Sequence, residues 1–322
     1  MAGGKFEKAR QFEVIGGSDF IHSKGIKIHS KNWLSYFPFF TIHSPPQKST
    51  DVQIQLPPLP RICTNNSIFL SNDNKLISMG GTSTKCFVLD NNKWIEHSSL
   101  KMNRYGGAFV KMPTGFYAFG GYKNGNTSEY LPISSNVWQT GPDIATLDKD
   151  QNQLNYYVDY GTGHAISNEE LIIICRRDVI RYNVMTKKFS HYCSARYIYE
   201  YYASVVFNGK LIITGGEKVH GRWYPLLRSR STTIVDLTTK DCKKGGPMNI
   251  QRSRHKMEVV PIDGTMKVIV FGGEGPDYVN LDSLEIFDEK TATWKMSTKK
   301  LNIGRYSFGH TKVSKTIFYT TE

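Results

Sequence analysis

Alanine is scarce in this 322-residue chain, nine in all, and a helical bundle is disfavoured on that ground. No apolar run nears the roughly 18 residues of a membrane span; Leu171-Ile172-Ile173-Ile174-Cys175 is about the longest. The first eleven residues are polar and basic, with no apolar segment that would act as a signal peptide. Five cysteines (63, 86, 175, 193 and 242) are dispersed, and no two form a CxxC pair. Such a set argues against a disulfide framework or a zinc site and fits a reducing, cytoplasmic setting. Phosphate-cradling loops, dinucleotide fingerprints, GxSxG elbows and HExxH pairs are all missing. The nine histidines are scattered, so no metal or other cofactor is expected.

What is present is glycine, at 28 residues, and tyrosine with phenylalanine, at 18 and 17. That balance favours strands joined by tight turns. Diglycines close short β-rich runs at Gly16-Gly17, Gly80-Gly81, Gly120-Gly121, Gly215-Gly216 and Gly272-Gly273. A degenerate copy, Glu170 to Cys175, ends in Cys175-Arg176 instead. Counting it, six units recur at intervals of 40 to 64 residues.

Each unit holds more than its diglycine. A strand precedes it across a turn such as Asn208-Gly209 or Asp263-Gly264, which reads as a hairpin. A third strand follows and ends in an acidic or polar turn. On a fourth strand a tryptophan recurs as Trp94, Trp138 and Trp294. Glycine suits close backbone packing, and tryptophan fills the wedge between units; both are read as structural. The expected architecture is all-β: a six-bladed propeller with four antiparallel strands per blade, forming a single domain over residues 1–322. The chain begins in a second strand, so the C-terminal strand 306–313 is expected to complete the first blade and close the ring.

The order strand, hairpin, strand-Gly-Gly, strand-Asp, then Trp resembles the kelch repeat, most closely over Arg104 to Trp138 and Arg254 to Trp294. The resemblance implies a scaffold, a cytoskeletal binder or a substrate-recognition propeller of ubiquitin ligases, although no BTB domain accompanies it here. Some kelch-like propellers are copper oxidases or sugar-modifying enzymes, which is the alternative.

Topology places the b–c and d–a loops on one face, and there they are long and varied. An arginine precedes the inner strand in most units: Arg61, Arg104, Arg196, Arg252 or Arg254, and Arg305. Three carry an adjacent tyrosine, namely Tyr105, Tyr197 and Tyr306. A basic–aromatic loop adds Arg222, Trp223, Tyr224, Arg228 and Arg230. Of the net +13, +9 lies in residues 162–322, with 25 Lys+Arg against 16 Asp+Glu. Forked guanidinium groups suit carboxylates. The expectation is a monomeric, non-enzymatic interaction module that binds another protein through an acidic segment, ahead of nucleic acid and with no role for a membrane.

Overall fold

The computed structural model describes residues 57, 59–60, 66–73, 75–147, 153–195, 199–218, 227–301 and 303–310. For Phe12–Ser18, Phe40–His43 and residues 311–313 it describes the strand backbone alone. The chain forms a β-propeller built from antiparallel four-stranded sheets, each in the chain order a, b, c, d.

Numbered by their repeat units, the complete blades are two to six. Blade two comprises Asn66–Leu70, Leu76–Gly80, Lys85–Asp90 and Lys93–Ser99. Blade three has Ala108–Met112, Gly115–Phe119, Ser128–Pro132 and Gln139–Thr140. Blade four has Gly163–Ala165, Glu170–Cys175, Asp178–Asn183 and Lys188–Ser194. Blade five has Ala203–Phe207, Lys210–Thr214, Thr232–Asp236 and Cys242–Gly245. Blade six has Lys256–Ile262, Thr265–Phe271, Ser283–Asp288 and Thr293–Lys300.

Five complete blades therefore stand where the repeat count leads one to expect six. The first unit is a three-stranded sheet among the described residues. Its inner strand is the C-terminal Tyr306–Val313, which pairs antiparallel with Phe12–Ser18, and Phe40–His43 lies beyond. The C-terminal strand also lies beside the inner strands of blades two and six.

Alternating apolar residues on strands a to c supply two buried faces per blade, so the core is a series of layers between neighbouring blades. Trp138 fills the wedge between blades two and three and donates from Nε1 to Ser98 Oγ at 3.2 Å. Trp294 does the same between blades five and six, donating to Thr232 Oγ1 at 2.9 Å. Each indole thus buries its apolar body while its polar edge is satisfied.

Trp94, expected to play the same part, departs from the pattern. Its Nε1 donates to the Pro57 backbone carbonyl at 2.8 Å. It is also the most exposed of the three, at 9% against 1% for Trp138 and 5% for Trp294. Through this bond Trp94 anchors the segment leading into blade two to its own blade.

The diglycine is explained by the next blade. Gly121, Gly216 and Gly273 donate their N–H to the carbonyls of Val158, Arg252 and Arg305, each at 2.8 to 2.9 Å. A Cβ on Gly120 would lie 2.3 Å from the Val158 carbonyl oxygen, so a side chain is sterically barred there. Blade four dispenses with the pair because its strands b and c join directly, with Cys175 opposite Asp178 across Arg176-Arg177. Arg176 takes the left-handed conformation (φ 55°) that a glycine would otherwise supply. Among the described residues no helix is long and apolar enough to cross a membrane.

Candidate functional site at the channel mouth

The inner strands of blades three to six are entered through a residue with positive φ, Gly106, Tyr160, Tyr201 and Arg254, and Ser307 takes the same conformation near the start of the first unit's inner strand, all between 51° and 69°. These residues hold one repeat phase. Strand pairing begins two residues later at Ala108, Ala203 and Lys256, opposite Phe119, Thr214 and Phe271. A left-handed residue turns the incoming d–a loop into the inner strand. Glycine adopts that conformation freely, whereas tyrosine and arginine pay about 1–2 kcal/mol. Three large side chains at a strained phase mark this rim as more than a turn.

Their contacts build a continuous rim. Tyr105 and Tyr160 meet edge to face with centroids 5.8 Å apart, and Tyr160 and Tyr201 are 4.0 Å apart. The Arg254 guanidinium lies 4.3 Å above the Tyr201 ring. It also bridges Glu217 at 2.9 Å and Glu274 at 2.8 Å. Glu274 in turn pairs with Arg228 at 2.8 Å, and Arg228 lies over the Tyr278 ring. Glu217 and Arg228 are held by a short ribbon in the b–c loop of blade five, Glu217–Lys218 against Leu227–Arg228. Burial raises the Tyr160 and Tyr201 phenols, so both stay neutral.

Below the rim lies a cavity of about 210 Å³ along the channel, with Thr162, His164, Ser204 and Lys256 in its wall. Ser204 Oγ sits 2.7 Å from His164 Nε2 and 2.5 Å from Thr162 Oγ1. Burial, opposed only by Glu258, pushes His164 down to about 4 and leaves it neutral at pH 7. Burial alone pulls Lys256 down to about 8. Its side chain has no partner among the described residues, whereas His310, on the first unit's inner strand, lies 3.5 Å from Glu258. His255 faces the other way, its Nε2 2.9 Å from Thr214 Oγ1, and burial holds it well below the usual imidazole range.

The expected arginine ring divides in this geometry. Arg104 and Arg252 are wholly buried and lock their own blades. Arg104 Nε donates to Glu129 Oε1 at 2.9 Å, and its Nη1 donates to the Gly120 carbonyl at 2.7 Å. Arg252 repeats the arrangement with Glu285 and Gly272, both at 2.8 Å. Glu129 also accepts the N–H groups of Lys101 and Met102, and Glu285 those of Asn249 and Ile250. These two arginines thus join the d–a loop to the b–c loop of one blade and present no free guanidinium at the mouth. The choice between Arg252 and Arg254 also resolves: Arg252 shares the phase of Arg104 and Arg305, and Arg254 is the rim residue two positions on.

Arg305 is buried, and Arg228 is buried in its ion pair. Tyr105 and Tyr306 are half-buried at the rim side, while Arg230 is exposed. Arg61, Arg196, Tyr197, Arg222, Trp223 and Tyr224 lie outside the described residues. By phase, the blade-five counterpart of Arg104 is Tyr199 rather than Arg196. Tyr160, Tyr201, Glu217, Glu274, His164, Ser204 and Lys256 belong to the site and are not singled out by arginine phase. The signal that finds them is Gly106, whose positive-φ position recurs as Tyr160, Tyr201 and Arg254.

Among the described residues no three His, Cys, Asp or Glu side chains converge as a metal site would require. The fold class is that of the β-propellers. No protein-family model matches the chain, and comparison with curated proteins returns no match.

Proposed function

We propose that this chain is a kelch-like propeller that acts as a non-enzymatic protein-interaction module, receiving an acidic segment of a partner at the channel mouth. The observation that carries this reading is the rim of Tyr105, Tyr160 and Tyr201 with Arg254 stacked on it, set above the channel cavity. Rigid aromatic side chains with polar tips are the residue types that anchor interfaces. The ion-paired array Arg254–Glu217–Glu274–Arg228 fixes the rim in place, so little ordering is needed on binding. The b–c loops of blades three and six lie on the same face.

The Ser204–His164 pair supports binding rather than nucleophilic catalysis. An imidazole held at about 4 is a weak base at neutral pH. The hydroxyl is positioned by it more than activated.

Selection from a displayed random-peptide library tests the reading. Enriched sequences should contain Asp or Glu and should lose binding to the Tyr160→Ala/Tyr201→Ala variant. Enrichment of sequences without acidic residues, or equal binding to that variant, would overturn it.

A further inference from the structure

We propose that the channel cavity is a carboxylate-binding site in which the Lys256 ammonium is the counter-ion and the Ser204 and Thr162 hydroxyls lie alongside. This rests on the interaction reading and adds the chemical group that enters the channel. Lys256 opens the inner strand of blade six two residues after Arg254, so it belongs to the wall just below the rim. The other basic groups nearby are matched: Arg104, Arg228, Arg252 and Arg254 each face a glutamate. Lys256 has no such partner among the described residues. The Lys256 side chain is half-buried, and an ammonium partly withdrawn from water without a counter-ion gains from an incoming carboxylate.

The size and polarity of the cavity narrow the ligand further. About 210 Å³ accommodates a side chain or a small acid, whereas a helix of some 10 Å diameter is too wide. Ser204, Thr162 and His164 offer hydrogen bonds around the charge without adding a second cation. Glu258, beside His310, also limits the positive potential. One carboxylate fits this balance better than a phosphate dianion. Its source is either an Asp or Glu side chain of a partner segment or a free small acid.

Calorimetric titration of the full chain separates these outcomes. The probes are a library-selected acidic peptide, N-acetylglutamate amide and, as a neutral control, N-acetylglutamine amide. For wild type against Lys256→Met, at least tenfold weaker binding of the acidic probe is expected; Ser204→Ala, a milder variant, should weaken it about threefold. Binding of the peptide alone assigns a partner side chain, and binding of the amino-acid derivative as well assigns a free acid. Equal affinity for Lys256→Met, or equal binding of the glutamine derivative, would overturn the site. If selected peptides require Tyr160 and Tyr201 but not Lys256, the carboxylate site falls while the interaction reading stands. If they require none of the three, both fall.

Discussion

Arg252 and Glu285 meet at 2.8 Å with neither side chain exposed to solvent, and Arg104 and Glu129 repeat the contact in blade three. In both blades the carboxylate also collects two backbone N–H groups from the d–a loop. Each carboxylate is buried, paired and hydrogen-bonded at both oxygens, which is the condition for such a pair to persist.

Removing one partner should therefore destabilise the fold rather than abolish binding selectively. Arg104→Ala or Arg252→Ala is expected to cost about 3–5 kcal/mol by leaving a buried carboxylate unpaired. Replacing both members of the second pair, Arg252→Met with Glu285→Met, should cost much less. Denaturant unfolding of the two single variants and the double variant checks this. Unchanged stability of the single variants would mean that the arginines are dispensable to the blades.

The backbone roles separate in a second series. Gly209 and Gly121 both have positive φ, 69° and 108°, but only Gly121 is crowded: a Cβ there would lie 2.7 Å from Arg104 Cα. Gly209→Ala should cost about 1 kcal/mol from conformation alone, and Gly121→Ala clearly more. At Arg176, left-handed without being glycine, substitution by glycine should stabilise by up to about 1 kcal/mol. Thermal unfolding of the three variants reads these out.

These positions also show how far the sequence can be read. The diglycine phase exposes the repeat because close inter-blade packing permits no other residue at those points. It gives six units against five four-stranded blades because the first unit has the phase but three strands among the described residues. Tryptophan phase does not name the partner either: Trp94 keeps the position but donates to the incoming segment at Pro57. Arginine phase is visible too, yet its role is not. The partners Glu129 and Glu285 lie 25 and 33 residues downstream, and spacing does not say which way a guanidinium points. Tyr160 and Tyr201 escape because a left-handed tyrosine leaves no mark that a glycine would.

Stability should fall in mild acid. His164 is held at about 4 against an ordinary 6.5, and His255 is also held well below it. Between those values the unfolded chain binds more protons than the folded one, so stability is lost as pH drops below 6.5. The His164 contribution is complete once pH reaches about 4. Unfolding free energies between pH 7 and 4 should show this loss, and His164→Asn should reduce it. An imidazole resonance of His164 titrating near 6.5 would contradict the burial argument.

Lys256 gives a slope of the same sign at alkaline pH. Its ammonium is pulled from 10.5 to about 8, so the folded chain binds fewer protons than the unfolded one between those values. The Lys256 contribution is expected to rise from pH 8 towards 10.5, so Lys256→Met should be the more stable protein at pH 7 and its advantage over wild type should shrink across that range. Carboxylate binding should run the other way, weakening above pH 8 as the ammonium loses its proton. The other titratable and charged groups lining the channel are His164, His255, His310, Arg254, Glu258, Tyr160, Tyr201 and Tyr202. Burial raises the phenols of Tyr160, Tyr201 and Tyr202, and Arg254 remains charged. A stability gap between wild type and Lys256→Met that does not shrink with pH, or binding independent of pH, would contradict this assignment.

The central claim, that the channel mouth receives the partner, is tested most directly by hydrogen–deuterium exchange with and without a library-selected acidic peptide. Protection is expected at the entries to the inner strands, around residues 105–107, 159–164, 200–204 and 253–257. Protection confined to the opposite face, at the c–d turns around residues 91–92, 185–187, 238–240 and 289–292, would contradict it.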